Sequence, residues 1–266
     1  MNSRVLITGG TGLLGRTVTP LLRDAGRDVR VLSRRSHESA DGIEYVTGDL
    51  LSGEGIDAAV DGVATIVHLA GSTKGDDHAT QNLVRAASEA EVQHLVYISV
   101  VGADRVPLGW FKSKLGAERA IAASGLPSTT LRAAQFHDLV FTVVEKMAKL
   151  PVIPIPGGLR FQPVDSRDVA ARLAGLALAE PAGRVLDLVG PKVYYLADLI
   201  HGYLQARGKH RLMVPIRMPG KAGRAYRAGE NLTLAGAAVG KRTWEEFLAE
   251  RLSSDNASRE TSRARA

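Results

Sequence analysis

The sequence predicts an α/β protein in which a parallel, doubly wound sheet carries a small C-terminal subdomain. Three observations predict it. Short apolar strands alternate with amphipathic helices from the N-terminus to about residue 132, the pattern of a parallel sheet with helical crossovers. The first strand, Val5-Leu6-Ile7, runs straight into the turn Thr8-Gly9-Gly10-Thr11-Gly12-Leu13-Leu14-Gly15, which opens a helix with Leu14, Val18, Leu21 and Leu22 at helical spacing. At 266 residues, 45% of them hydrophobic, the chain can bury a sizeable core.

The glycines of the turn have separate tasks. Gly9 permits the tight turn, Gly12 lets the backbone approach a pyrophosphate, and Gly15 lets the helix pack closely on the strand. The helix N-terminus offers free N–H groups to phosphates, so Gly9, Thr11, Gly12, Leu13, Leu14 and Gly15 form a candidate dinucleotide cradle of the Rossmann type. The spacing is G-x-x-G-x-x-G with Gly10 as an extra, a departure from the commoner G-x-G-x-x-G. A tight turn without a ligand would also recruit glycine. The strand before it and the helix after it favour the cofactor.

Pro20 removes one backbone bond from the first helix and is expected to kink it. The periodicity on both sides keeps the helix to Ala25-Gly26. The second strand, Asp28 to Leu32, stops at Ser33-Arg34-Arg35. An NAD enzyme of this fold carries an acid for the ribose hydroxyls about 20 residues past the glycines. Arginines there favour NADP, because guanidinium groups pair with a 2′-phosphate in bidentate fashion; the plainer reading is a solvated loop. A third strand, Ile43 to Val46, leads to Gly48-Asp49-Leu50, where Asp49 either accepts a hydrogen bond from an adenine amino group or caps the next helix. The fourth strand, Thr65 to Leu69, ends in Ala70-Gly71-Ser72-Thr73-Lys74, small residues over which a ligand can lie; Lys74 either meets an anion or is solvated. A helix over 79–90, a strand from Leu95 to Ser99, a helix around Trp110 to Ile121 and a strand from Ser128 to Arg132 complete the sheet.

Taken together, these residues resemble the atypical or extended short-chain dehydrogenase/reductases, the group that includes the NmrA-like NAD(P)-binding proteins. The likeness rests on the Thr8 to Gly15 turn, Gly48-Asp49-Leu50, His68-Leu69-Ala70-Gly71, Tyr97-Ile98-Ser99 with Val101-Gly102-Ala103, Lys114 with Ala117-Glu118, Leu131-Arg132, Pro163-Val164-Asp165 and Asp168-Val169-Ala170. It implies a cofactor site made by the turn with Ser33, Arg34, Arg35, Asp49, Leu50, Ala70, Gly71 and Lys114. Catalytic members use Tyr-x-x-x-Lys, the lysine lowering the tyrosine pKa and holding the nicotinamide ribose. Here Trp110 stands four residues before Lys114, and indole neither donates nor accepts a catalytic proton. Ser99 matches the place of the family's catalytic serine, although a serine at a strand end also forms turns. His137, after Ala133-Ala134-Gln135-Phe136, is the histidine to weigh as an acid or base against a structural role.

Beyond it the pattern predicts a helix over 138–150 and a rigid proline loop (Pro151, Pro154, Pro156, Gly157-Gly158) placed to cover a cleft. A helix over 171–178 follows, with Asp165 and Asp168 as caps at its start. Then come a strand over 184–189, a helix from Leu196 to Ala206, a strand over 212–214 and a last helix around Trp244 to Leu248. The expectation is a single domain over 1–252, its substrate-covering parts at about 136–165 and 184–252, with a disordered tail over 253–266.

The chain has no cysteine, so neither disulfides nor thiolate chemistry arise. Its seven histidines show no ligand spacing, which argues against a metal site. The net charge of +6 is spread out, concentrated only in the tail and between Arg207 and Arg227, with few interleaved aromatics. That is a solvated surface rather than a nucleic-acid stripe. No leader and no spanning apolar run are evident, so the expectation is a cytoplasmic protein without a membrane partner, monomeric or homodimeric. The function implied is NADP(H)-dependent reduction of a small hydrophobic quinone- or enone-like molecule. A nucleotide-binding sensor without turnover and a redox-neutral isomerase or lyase are the alternatives.

Overall fold

The computed structural model describes residues 4–72 and 75–264, with side chains through Ser254; Lys74 lies outside the described residues. The chain divides into two compact units, Met1–Ala133 with Ser166–Asp187, and Ala134–Asp165 with Leu188–Ala266. The single predicted domain is thus two units, and the predicted covering parts fall largely in the second.

The first unit runs β1 (Arg4–Thr8), α1 (Gly15–Asp24), β2 (Asp28–Ser33), β3 (Ile43–Thr47), α2 (Ile56–Val60), β4 (Thr65–His68), α3 (Asp76–Glu89), β5 (His94–Val100), α4 (Gly109–Ser124) and β6 (Ser128–Ala133). These strands lie in the order β6-β5-β4-β1-β2-β3, every pair parallel. The order reverses at β1, so the crevice past the ends of β1 and β4 is where this topology receives a ligand. Every residue of β5 is buried, as expected of a central parallel strand covered on both faces. Leu6, Ile66, Leu83, Leu95, Tyr97 and Ile121 belong to one core cluster. Pro20 sits inside α1 without ending it.

Arg30, on β2, is buried. Its Nη1 donates to the carbonyls of Ala58, Ala59 and Asp61 at 2.8 to 3.2 Å, and its Nε donates to Glu44 at 2.9 Å. A charged group survives there because the C-terminal carbonyls of α2 satisfy it.

The second unit begins with α5 (His137–Met147), β7 (Val152–Pro156) and β8 (Arg160–Phe161). The chain returns to the first unit for α6 (Ser166–Leu178) and β9 (Gly183–Arg184), the latter beside Thr129 and Thr130 of β6. The remainder is β10 (Leu188–Val189), β11 (Tyr194–Tyr195), α7 (Leu196–Ala206), β12 (Leu212–Ile216), α8 (Gly220–Ala228), β13 (Ala238–Val239) and α9 (Trp244–Ala264). Val144, Ile153, Leu199, Tyr203, Trp244 and Phe247 belong to its core cluster.

Three expectations are corrected. The proline loop is a strand: β7 pairs in parallel with β12, Val152 opposite Leu212 through Pro156 opposite Ile216. Pro154 and Pro156 share one parity, and the amide of Gly157, of the other parity, donates to Ile216 at 3.0 Å. The missing N–H groups therefore fall on the edge away from β12, where a strand tolerates proline. The strand over 184–189 is two short pieces, because Leu186 turns outward and an Arg184–Asp187 ion pair at 3.4 Å spans the break. Asp165, expected as a helix cap, directly precedes α6 in the chain and is also buried 3.3 Å from Arg242. Finally, α9 continues past Ser253 to Ala264. Nothing after Gly240 is glycine or proline, so a helix anchored by Trp244, Phe247, Leu248 and Leu252 has no local signal to stop. The sequence reading also gave no range to α2 and α8 and missed the strands β8, β11 and β13.

Candidate functional site

The cradle is built by steric necessity at three glycines. Gly9 has φ +70°, and a Cβ there would lie 2.7 Å from the amide nitrogen of Ala70. At Gly15 a Cβ would stand 2.3 Å from Gly10 Cα and from the Gly9 carbonyl, so the helix starts directly on the turn. Gly10, the extra glycine of the sequence pattern, lies against Val31 of β2, where a Cβ would approach to 2.6 Å. Gly12 differs: its Cβ would meet only the Gly9 carbonyl, at 3.2 Å, and the residue is exposed. Gly12 thus keeps the outer surface of the turn low without being required by the packing beneath it. Thr11 and Leu13 are exposed and Leu14 is buried. The turn closes through the Gly12 amide on the Gly9 carbonyl and the Arg16 amide on the Gly12 carbonyl, both at 3.0 Å, and among the described residues the amides of Leu13, Leu14 and Gly15 have no backbone acceptor. Arg16, missed in the sequence, is exposed in the first turn of α1 and donates from Nε to the Thr11 carbonyl at 2.9 Å. An arginine directly after the third glycine was the available signal.

Ser33 ends β2 buried, its hydroxyl accepting from the Arg35 amide at 3.2 Å. Arg34 and Arg35 are exposed, and among the described residues no carboxylate pairs with either guanidinium. Asp49 caps neither α2 nor α3. Its Oδ1 accepts from the Leu51 amide at 2.8 Å, which closes a turn and leaves Oδ2 open. Leu50 is buried beside it.

Behind the ends of β1 and β4 runs a buried chain of polar groups. Thr80 Oγ1 donates to the Asp76 carbonyl at 2.6 Å, so at its 3.1 Å contact with His68 it must accept from Nε2. His68 Nδ1 is then the acceptor for the Thr8 hydroxyl at 2.7 Å, and Thr8 Oγ1 in turn accepts from the Ala70 amide at 3.2 Å. Burial, with the nearby charge of Lys114, pushes the His68 pKa down to about 3. This histidine is a neutral strut stacked on Tyr97, ring centroids 5.3 Å apart.

Lys114 projects from α4 into the same region and is buried. Its Nζ lies 3.1 Å from Asp76 Oδ2, 3.5 Å from the Ile98 carbonyl and 5.2 Å from the centroid of the Tyr97 ring. Asp76 Oδ1 accepts from the Ser72 amide at 2.5 Å. Gly71 leaves room beside the ammonium, since a Cβ there would come within 3.2 Å of Nζ. Two buried hydroxyls of β5, Tyr97 OH and Ser99 Oγ, have no hydrogen-bond partner among the described residues. Burial, then the charges of Asp76 and Glu118, raises the Tyr97 pKa, so this phenol stays protonated. Trp110 lies one turn before Lys114, edge-on to Phe111 at 5.1 Å. Arg132, at the end of β6, is held between Glu118 and Asp104 at 2.7 Å from each, a structural knot. Asp76 had no signal in the sequence beyond opening a helix, because its partner is in a different element.

His137 belongs to the second unit. It is fully buried, its ring 5.2 Å from Phe247 and 5.9 Å from Trp244. Ser99 and Lys114 belong to the first unit together with the cradle. Among the described residues no group of His, Asp or Glu could hold a metal, and no helix is long and apolar enough to cross a membrane.

These residues fit a dinucleotide. The low outer face of Gly12, the open α1 N-terminus, two unpaired guanidiniums past β2 and the open oxygen of Asp49 lie on the loops that a Rossmann sheet turns to its ligand.

Comparison with known proteins agrees. The NAD(P)H-binding family model matches residues 9–174. The (4-alkanoyl-5-oxo-2,5-dihydrofuran-3-yl)methyl phosphate reductase of Streptomyces griseus subsp. griseus is 31% identical over 196 residues, 71% of this chain and 68% of that protein. Among solved structures, the NADPH-dependent quinone oxidoreductase QOR2 of Escherichia coli, complexed with NADPH, superposes with a TM-score of 0.81 at 19% identity, covering 93% of this chain and 99% of its own. The Citrobacter sp. triphenylmethane reductase, complexed with NADP(H), gives 0.76 at 20% identity with the same coverage. At those identities the structural likeness speaks for the Rossmann fold alone, and the family rests on the sequence match. The cradle had been legible from its glycines, and with sheet order and sequence comparison in agreement the chain belongs to the NAD(P)H-binding family.

Proposed function

We propose that the protein is an NADPH-dependent reductase of a small, hydrophobic, conjugated acceptor of the quinone or enone type. The observation that carries the proposal is Lys114: a buried ammonium with the side-chain-free backbone of Gly71 beside it and tryptophan instead of tyrosine one turn before it. An isolated ketone needs a proton donor as its alkoxide forms, and Trp110 offers none. A conjugated acceptor spreads the developing charge and takes its proton from water, so it needs only a positive charge nearby. Lys114 provides that charge without moving. The named activities of the Streptomyces, Escherichia and Citrobacter proteins, all reductions, support the same class.

The remaining roles follow from placement. The amides of Leu13, Leu14 and Gly15 receive the pyrophosphate over the low face of Gly12, with Arg16 adding charge. Arg34 and Arg35 take the 2′-phosphate that distinguishes NADPH from NADH, Ser33 shapes their loop, and Asp49 uses its open oxygen for the adenine amino group beside Leu50. Ala70 and Gly71 keep the end of β4 low, and Lys114 with the Ser99 hydroxyl holds the nicotinamide ribose. Bound NADPH supplies the hydride. We assign His137 to the aromatic core of the second unit, outside the chemistry.

One observation favours a second reading. Asp76 offsets the charge of Lys114 at 3.1 Å, as would suit a nucleotide-binding sensor that never turns over. A panel of quinones, enones and ketones tested for NADPH oxidation separates the two. Turnover confined to conjugated acceptors supports the reductase; no turnover with any acceptor, together with tight NADPH binding, supports the sensor.

A further inference from the structure

The basic stretch from Arg207 to Arg227 has no part in the cofactor site, and the structure shows what it surrounds. In the parallel pair of β7 and β12, Val152, Pro154 and Pro156 stand opposite Leu212, Val214 and Ile216. Paired residues of neighbouring strands point to the same face, so these six apolar side chains form one face of the ribbon. Its opposite face carries Ile153 and Ile155, which are buried. The outer face is open: Leu212 is 64% exposed, Ile216 45%, Val152 44% and Val214 38%. Side chains on a half-buried ribbon ordinarily alternate apolar and polar. Here both faces are apolar, the signature of a surface that meets something other than water.

Cations border this face at both ends. Because the strands are parallel, Lys149 and Arg211 come together at their start, where with Pro151, His210 and Leu212 they line a cavity of about 710 Å³. Past the other end of β12 the chain continues with Arg217 and then, on α8, Lys221 and Arg224, all exposed. From Arg207 to Arg227 there is no Asp or Glu. Among the described residues no carboxylate pairs with Lys149, Lys209, Arg211, Arg217, Lys221 or Arg224.

We propose that this face docks on the surface of an anionic lipid bilayer, with the aliphatic side chains entering the interface and the cations meeting lipid phosphates. An apolar patch bordered by Lys and Arg binds such surfaces by both forces together, each cation near the surface contributing about fivefold. Charge argues against the other occupants. A second copy on the same face would set one basic border against another. An extended peptide would have to add to a free edge of this two-stranded ribbon, where Pro154 and Pro156 on β7, or Pro215 on β12, offer no N–H. Single-stranded nucleic acid would need stacking aromatics, and the face has none; a duplex would engage the cations alone and leave the aliphatic face in water. Docking of this kind requires no spanning helix, and it stands independently of the reading of the cofactor site.

The test is co-sedimentation of the full chain with vesicles of phosphatidylcholine alone and of phosphatidylcholine with about one-third phosphatidylglycerol. The expected result is binding to the anionic vesicles only, weakened by high salt. Leu212→Asp with Ile216→Asp should reduce binding at least about tenfold, and Lys149→Gln with Arg211→Gln about thirtyfold. Both variants should keep the circular dichroism spectrum and NADPH affinity of the wild type, since every altered side chain is on the surface of the second unit. No sedimentation, equal binding to neutral vesicles, or binding unchanged in both variants would overturn the proposal. So would a dimer in sedimentation velocity that the Leu212/Ile216 variant dissociates, or equally tight binding to polyglutamate, which would assign the face to a second copy or to an acidic polymer.

Discussion

Removing the ammonium of Lys114 while keeping its volume, as in Lys114→Met, tests the centre of the candidate site through stability. Nζ and Asp76 Oδ2 are 3.1 Å apart, with side chains only 8% and 5% exposed. At an effective dielectric of about 20, two unit charges at that separation attract by about 5 kcal/mol. Losing one partner strands the other: the Asp76 carboxylate would keep the Ser72 amide and little else. The expected cost is about 3 to 5 kcal/mol, the range for breaking a buried pair. The double variant, Lys114→Met with Asp76→Asn, removes both charges and retains an acceptor for Ser72. It should recover most of the loss, to within about 2 kcal/mol of wild type. Urea unfolding followed by circular dichroism, on the wild type, both single variants and the double, completes the cycle. A Lys114→Met cost below about 1 kcal/mol, or additive single effects, would show that Lys114 is a solvated lysine and would remove the basis for its role beside the nicotinamide.

Calorimetry should find NADPH affinity reduced about tenfold to a hundredfold by Arg34→Ala with Arg35→Ala, with NADH affinity unchanged; equal losses for both would refute the 2′-phosphate assignment. Lys114→Ala should lower quinone turnover by about 10² to 10³ and Trp110→Phe far less, in steady-state rates with NADPH. Gly15→Ala should abolish cofactor binding, read by fluorescence titration, because its Cβ would overlap the Gly9 carbonyl. His68, neutral in the fold with a pKa of about 3 against an ordinary 6.5, binds its proton only after unfolding between those values. Its contribution is intact above about pH 6.5 and is lost by about 1.4 kcal/mol per pH unit on acidification toward pH 3, a slope that His68→Asn should flatten in pH-dependent unfolding. Truncation after Ser254 should leave the melting temperature unchanged, since the last residue of the second unit's core cluster is Leu252.

What could be read from the sequence was local. The turn after β1 declared itself because Gly9 needs its own positive φ of +70° and Gly15 is demanded by Gly9 and Gly10 a few residues away, and α7 was predicted at its observed limits, Leu196–Ala206, because its apolar periodicity is internal. The Lys114–Asp76 pair was invisible because 38 residues separate its members, and nothing in either segment announces the other. β7 was hidden for a related reason. Proline argues against a strand until the partner is known, and only pairing with β12 reveals that Pro154 and Pro156 face away from the ladder. The strand over 184–189 failed in the opposite sense, since a continuous apolar run concealed a break set by long-range pairing.

Arg30 ties the order of assembly to the sheet. α2 has five residues, Ile56–Val60, too few to persist alone once the cost of nucleation is counted. Its C-terminal carbonyls are collected by a side chain that arrives from β2, through Ala58, Ala59 and Asp61. Ile56, Ala59 and Val60 also anchor it in the core, but the guanidinium comes within reach only with β2 in its place beside β1. Hydrogen exchange at the amides of α2 would therefore report on strand pairing some 30 residues upstream, opening together with β2 instead of fraying on its own.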